Sequence, residues 1–489
     1  MKKMNKLAGL ILTLAMALTL AVPAMAKEAD MSGHTYKAYQ IFSGTQAENV
    51  SQLGNIVWGS GINGAAFLTA LKADSAFVVD EKNVFADCAT AADVADAMTG
   101  WGDSSDQAKA FAKIAYDNKA GSGVDCVAGT TSLDAGYYLV VDVTEFGTGA
   151  TDTVYNLALL QLTNKGTFEI AVKTDIPQVE KKVKDANDTE GSTTNWQDSA
   201  DYDIGDNVPF QLKATLGGKV SEFDSYEIVF HDTLSSGLKY NGDAKVYIDG
   251  DEVAGFTVTY VGNTLTVSCD DVKALGATNN SVITVEYTAE LTEGAVIGSA
   301  GNPNKVYLEY SNNPNDEGTG KTQEDKVIVF TYKVIVNKVD ENKQPLVGAG
   351  FTLYKKVGSA WVPVGDQVIG DTMTAFIWKG LDDGDYKLEE TTTPAGYNTI
   401  DPIEFTVTAT HDIESDNPAL TALSGNLLSG EAAFTADSAA GTLTTDVVNQ
   451  SGTVLPETGG IGTTIFYALG AALMVGAGVL LVTKKRMGE

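Results

Sequence analysis

Between residue 174 and about 325, apolar residues fall at every second position in short runs: 210–216, 226–232, 245–248, 256–260, 265–269, 282–291 and 305–310. Gly, Asn, Asp and Pro punctuate them. Alternation of period two marks strands with one buried face, and runs at this spacing predict an immunoglobulin-like sandwich. The pattern returns near 331–339, 350–355, 386–390, 403–408 and 442–449, predicting a second sandwich. Residues 27 to about 172 read differently. Strand-like runs at 36–42 and 137–142 flank an Ala-rich segment. There Phe67, Leu68 and Leu71, then Val94, Ala97 and Met98, then Ala108, Phe111, Ile114 and Ala115 recur at helical spacing. This predicts a β-sandwich-like domain with two or three inserted helices, their stripes serving as core.

Two longer apolar blocks bracket these modules. Residues 7–22 follow Lys2, Lys3 and Lys6 and precede Ala24-Met25-Ala26, a secretory signal peptide with cleavage after Ala26. Residues 461–482 would reach about 33 Å as a helix, enough to cross a bilayer core. Lys484-Lys485-Arg486 follow and would stay cytoplasmic. The expected organisation is a signal peptide (1–26), an N-terminal domain of strands and helices (27–173), a middle immunoglobulin-like domain (174–326), a third β domain (327–450), and a C-terminal anchor with a transmembrane helix (451–489). The fold class is mostly β.

Composition narrows the function. The chain carries 33 Lys+Arg against 64 Asp+Glu, a net charge of −31. That balance argues against nucleic acid or anionic lipid as partner and suits a solvated extracellular surface. Three cysteines cannot make a disulfide framework and leave room for at most one bridge, with Cys88 and Cys126 as the candidate pair. There is no CxxC, and His34, His231 and His411 are far apart without HExxH-like spacing. No metal or cofactor is expected.

The last 35 residues hold the most specific motif. Leu455-Pro456-Glu457-Thr458-Gly459, an apolar run and a basic tail, in that order, resemble the cell-wall sorting signal of Gram-positive surface proteins. The resemblance implies cleavage between Thr458 and Gly459 by a sortase, which passes the Thr458 acyl group to an amine.

The third module contains Val334-Ile335-Val336-Asn337-Lys338, Tyr386-Lys387-Leu388-Glu389-Glu390-Thr391 and Val447-Val448-Asn449. These resemble the Cna protein B-type domains of Gram-positive pilins, the second run matching their E box. The likeness implies a spontaneous isopeptide bond between Lys338 and Asn449, catalysed by Glu390. Strand alternation puts each of the three on an inward face with its apolar neighbours. Burial lowers a lysine pKa and raises that of an acid, so both can be neutral. A neutral amine can then attack the carboxamide while the carboxyl moves the proton.

The middle module offers Lys181, Asp232 and Asn312 on its first, a middle and its last strand, with Lys182 and Asn313 as alternatives if a bulge shifts the register. Its ending, Tyr307-Leu308-Glu309-Tyr310-Ser311-Asn312, resembles the middle domain of major pilins, where a Lys–Asn bond forms beside an Asp. The first module shows no such trio. Lys173, just before Pro177, resembles by position the pilin-motif lysine that accepts the acyl group of the next subunit. Lys165 and Lys184 are the alternatives.

These likenesses identify a candidate major (backbone) pilin of sortase-assembled Gram-positive pili. They imply a secreted, wall-anchored protein, held in the membrane before sorting, that is a sortase substrate rather than an enzyme apart from single-turnover self-crosslinking. Expected partners are other copies of the chain, pilin-class and housekeeping sortases, peptidoglycan, accessory pilins and host surface ligands used in adhesion. A wall-anchored adhesin or a tip or base pilin is the alternative reading. No DxSxS metal motif or added lectin-like domain favours it. A surface glycosidase would need a distinctive pair of acids, and none stands out.

Overall fold

The computed structural model describes residues 26–46, 53–102, 105–127, 130–167, 175–452 and 461–486. It is mostly β, as the alternation predicts.

Among the described residues the N-terminal module centres on one main sheet, with short strand pairs Val78–Val79/Lys82–Asn83 and Ser132–Leu133/Gly166–Thr167 beside it, rather than on two large facing sheets. Its strands run in the order Leu53–Trp58, Tyr36–Gln46, Gly136–Asp142, Leu157–Leu162, with Val124–Cys126 also pairing the Tyr36 strand. Helices Gly64–Ala73, Ala91–Ala97 and Asp106–Asp117 cover one face. Phe67, Leu71, Val94, Phe111 and Ala115 pack there on Ile41 and Leu139. The opposite face of the sheet carries Tyr36, Ala38, Tyr138 and Val140. The second helix begins at a capping box, Thr90 with Asp93, which satisfies two amide groups that the first turn leaves free.

The middle module is a two-sheet sandwich. One sheet has the order Gln178–Val183, Asn207–Thr215, Val282–Leu291, Lys245–Ile248. The other has Ser199–Asp201, Asp325–Phe330, Asn302–Ser311, Ile228–Leu234, Thr264–Cys269, Thr257–Val261. Val282–Leu291 and Asn302–Ser311 alternate buried and part-exposed residues along their length, so each sheet turns one apolar face inward. The closing strand, Asp325–Phe330, runs past the expected boundary at 326, and the third module starts at Tyr332.

That third module is again a two-sheet sandwich. Ala375–Leu381, Tyr332–Asp340, Thr442–Asn449 and Thr435–Asp437 form one sheet, in which the first and last long strands are parallel neighbours. Gly350–Val357, Gly384–Thr392, Ile403–His411 and Leu420–Ser429 form the core of the other.

The middle and third modules meet closely. Gly380 holds φ +75°, and a Cβ there would fall 2.4 Å from Ile204, so the side chain of Ile204 needs a glycine beneath it. The Ile204 amide donates to the Gly380 carbonyl at 3.0 Å. Ser199 Oγ meets His411 Nδ1 at 2.7 Å across the same joint.

The expected disulfide does not form. Cys88 and Cys126 are free, buried thiols, as is Cys269. Cys88 packs in the helix-covered core, Cys126 on the other face of the sheet, so the sheet stands between them. A helix, Ile461–Arg486, forms over the apolar run expected at 461–482; among the described residues no helix is long and apolar enough to cross a membrane.

Candidate crosslinking sites

In the middle module, Lys181 lies wholly buried on the first strand. The facing sheet supplies Asp232, also wholly buried, so the ammonium and carboxylate meet between the sheets at 2.6 Å. Tyr287, from the lysine's own sheet, stands 3.2 Å from Lys181 Nζ and donates its hydroxyl proton to the other oxygen of Asp232. Asn304 Nδ2 donates to that hydroxyl oxygen at 2.7 Å, while the Asn304 carbonyl oxygen is buried with no hydrogen-bond partner. The Phe210 ring, 5.2 Å from the amine, closes the site.

Burial pushes the lysine pKa down and the Asp232 carboxyl up, against the attraction each feels for the other. Both shifts favour a neutral amine beside a protonated acid. Burial likewise holds Tyr287 well above the usual phenol range, so its proton stays on.

Asn312 is not in this group. Asp232 pairs with Val306 and Ile228 with Tyr310, so Asn312 lies beyond the start of the aspartate strand. Six residues of strand separate it from Val306, roughly 20 Å at ~3.3 Å per residue. Its Nδ2 donates instead to Thr153 Oγ1 at 3.1 Å, and its main-chain carbonyl takes the Tyr155 amide, at the junction with the N-terminal module; its side-chain oxygen has no partner. The alternatives fare no better. Lys182 points outward to Asp198, and the side chain of Asn313 accepts the Asn315 amide. The carboxamide that shares the Tyr287 hydroxyl with Lys181 is that of Asn304. Alternation along Tyr310, Leu308 and Val306 extends equally to Asn304 and to Asn312. Only the register against Asp232 separates them.

In the third module Lys338 and Asn449 are wholly buried and Glu390 nearly so. Asn449 Nδ2 donates to both Glu390 oxygens, at 2.9 and 3.0 Å, and to the Asn398 carbonyl at 2.9 Å. The Asn449 carbonyl oxygen, like that of Asn304, has no partner. Parallel pairing sets Lys338 opposite Val447, whose carbonyl takes the ammonium at 2.8 Å, one residue on the same face from Asn449. Burial lowers the Lys338 pKa to about 8, opposed by the negative field of Glu390. The three residues thus converge from two strands of one sheet and a strand of the sheet facing it.

Lys173 and the pentapeptide Leu455, Pro456, Glu457, Thr458, Gly459 lie outside the described residues. Lys165 pairs with Asp134 at 3.0 Å, and Lys184 sits over the Trp196 ring.

Residues 332–418 match the prealbumin-like fold domain of the SpaA type, and residues 447–487 match the LPXTG cell wall anchor motif. Over 434 residues the chain is 25% identical to the trypsin-resistant surface T6 protein of Streptococcus pyogenes serotype M6, covering 69% of this chain and 78% of that one. The fold matches that of the T6 backbone pilin of serotype M6 Streptococcus pyogenes, described as a modular three-domain structure. The TM-score is 0.54 at 19% identity, over 87% of this chain and 98% of that one. The full-length major pilin SpaD of Corynebacterium diphtheriae aligns with a TM-score of 0.43 at 16% identity, over 86% and 93%. The chain carries a wall-anchor motif and is a cell-wall-anchored surface protein.

Proposed function

We propose that the protein is the backbone subunit of a covalent surface pilus. In this reading a pilin-class sortase joins the Thr458 carbonyl of one copy to the Lys173 amine of the next, and a housekeeping sortase passes the last subunit to peptidoglycan. A head-to-tail contact that does not close generates a filament. The anchor motif, the sequence likeness to the T6 surface protein and the shared fold with a backbone pilin support a pilin subunit. The observation that carries the finer reading is the pair of buried lysine–acid–asparagine groups, one in each sandwich.

The chemistry proposed for each is the same. The neutral lysine Nζ attacks the asparagine Cγ, the bond from Cγ to Nδ2 breaks, and ammonia leaves with a proton that started on the amine. In the third module Glu390 touches Nδ2 and delivers that proton. In the middle module Tyr287 bridges Asp232 and the Asn304 nitrogen, so the proton travels from acid to leaving group through the phenol. Hydrogen bonds from Nδ2 hold both carboxamides in place, to Glu390 and Asn398 in the third module and to Tyr287 in the middle one, while their carbonyl oxygens have no partner. The proposed bonds are Lys181–Asn304 and Lys338–Asn449, within modules that meet at Thr331. The protein is otherwise a substrate for the enzymes that assemble it.

Immunoblots of cell-wall extracts test the polymer. A high-mass ladder is expected, collapsing to monomer on Lys173→Ala and persisting on Lys165→Ala and Lys184→Ala. A single band in the wild type would instead identify a monomeric adhesin.

A further inference from the structure

The proposed covalent bonds lie inside the middle and third modules, so the joint between the two is held without one. A histidine sits in that joint. His411 ends the strand Ile403–His411 of the third module, and its ring is 8% exposed. Three polar groups of the middle module converge on it. Ser199 Oγ lies 2.7 Å from Nδ1, while Asp201 and Asp185 place carboxylate oxygens 3.6 and 3.7 Å from Nε2. The Phe330 ring packs against it, the ring centroids 5.8 Å apart.

The bonding pattern sets how many protons the ring carries. The Ser199 hydroxyl donates its one proton to the Asp412 main-chain carbonyl. Toward His411 it can then only accept, so Nδ1 must carry a hydrogen. Nε2 faces ionisable carboxyls, and a bare nitrogen lone pair there would oppose their negative charge. Either neutral tautomer leaves one side mismatched. The imidazolium satisfies both.

The other charged groups nearby have partners of their own. Asp383, in the turn before Gly384–Thr392, adds negative field at the ring and takes the Asn187 amide at 2.8 Å. The Tyr332 hydroxyl lies against Asp201. Lys355 spreads its ammonium over Asp188, Asp203 and Asp382, at 3.0, 2.6 and 3.2 Å, and Lys182 pairs with Asp198. Among the described residues His411 is therefore the cation that answers Asp185 and Asp201.

We propose that protonated His411 is a pH-sensitive clip between the middle and third modules, closing the joint in mild acid and loosening it as the medium turns alkaline. Burial pulls the ring's pKa down, but the hydrogen bond and charge of Asp201, with the fields of Asp185 and Asp383, more than offset it and leave it above the usual value. Burial and the repulsion of Asp201 also push Asp185 up to about 7. Both signs agree: the closed joint holds more protons than the open one, so its stability is full below the open-state pKa and is lost as pH rises through the closed-state value. In a fibre the clip would stiffen the rod in acid. That consequence rests on the proposed function; the clip does not.

The test uses the whole chain in mild detergent. His34, His231 and His411 are its only histidines, so ring-labelled histidine gives three resonances, and the one lost in His411→Gln reports this site. Its midpoint should lie above about 6.5. Amide hydrogen exchange, corrected for its intrinsic pH dependence, reports opening at Asp198 and Ser415, which bond across the joint at 2.9 and 2.8 Å. Their protection should fall from about pH 6.5 to the ring's midpoint, by up to about tenfold per unit, and then level off. Asp185→Asn leaves Asp201 opposite the ring and should keep this dependence; adding His411→Gln should remove it across that window. A ring midpoint at or below about 6.5 would overturn the proposal, as would flat protection in the wild type. Dependence that vanishes in Asp185→Asn alone would assign the proton to the carboxyl and refute the histidine clip. Should the double variant fail to fold, Ser199→Ala takes the acceptor from Nδ1 and should lower the ring's midpoint; an unchanged midpoint would refute the protonation argument.

Discussion

A lysine whose ammonium has no access to water can keep its charge only where a partner compensates, and the two buried lysines solve this differently. Lys181 has a carboxyl at hydrogen-bond distance to take its proton. Lys338 has only main-chain carbonyls within such reach, and burial brings its pKa to about 8. The sign follows directly. With an unfolded value of 10.5 and a folded value of about 8, the unfolded chain holds more protons between those limits, so burying Lys338 costs less as pH rises through that window. The reactive amine grows in step: about a tenth of Lys338 is neutral at pH 7, and most of it is above pH 9. We expect ammonia loss at this site, followed by mass spectrometry on freshly translated chain, to speed up about tenfold per unit below pH 8 and then level off. A rate flat across that range would mean the amine's proton is not what limits the bond. Glu390→Ala should stop the reaction at every pH, since it removes the group touching the departing nitrogen.

Strands decide which side chains can meet, and here the sequence was informative up to a point. Alternation gave the inward faces of Lys181, Asp232, Lys338, Glu390 and Asn449, and helical stripes at Phe67, Val94 and Phe111 marked the three helices. Alternation is blind to sliding along the strand, and so it led to Asn312 with Asn313 as the alternative and left Asn304 unconsidered. The pairing of Asp232 with Val306 is a long-range property that no local pattern encodes. The same holds for the joint, where Lys355 reaches Asp188 and Asp203 across more than 150 residues of chain, and for the one main sheet of the first module, which period-two runs alone did not separate from a sandwich. The register makes a prediction of its own. Asn304→Ala should fall short of its own sequence mass by one ammonia rather than two and lose up to about 5 kcal/mol of stability, the loop-closure value for a link of this span. Asn312→Ala should keep the full mass deficit. The opposite pattern would return the bond to Asn312 and refute the strand pairing seen here.

At the scale of the molecule, the two proposed bonds would guide tension along different paths. In the third module the first and last strands lie side by side, and a Lys338–Asn449 bond would carry load straight from one to the other, bypassing the rest of the sandwich. In the middle module a Lys181–Asn304 bond would join the two sheets. It would leave the remainder of the Asn302–Ser311 strand and the closing strand Asp325–Phe330 outside the covalent loop, held by sheet hydrogen bonds alone. With every cysteine free, no disulfide supplies this function. Small extracellular β domains commonly need such a staple. The account therefore rests on two bonds that ordinary sequencing would not reveal, and intact-mass spectrometry of the purified wild-type protein tests them most directly. The mass should fall short of the sequence value by two ammonias, with fragment spectra joining the peptide of Lys181 to that of Asn304 and the peptide of Lys338 to that of Asn449. A mass equal to the full sequence value, with all four residues recovered on separate peptides, would contradict it.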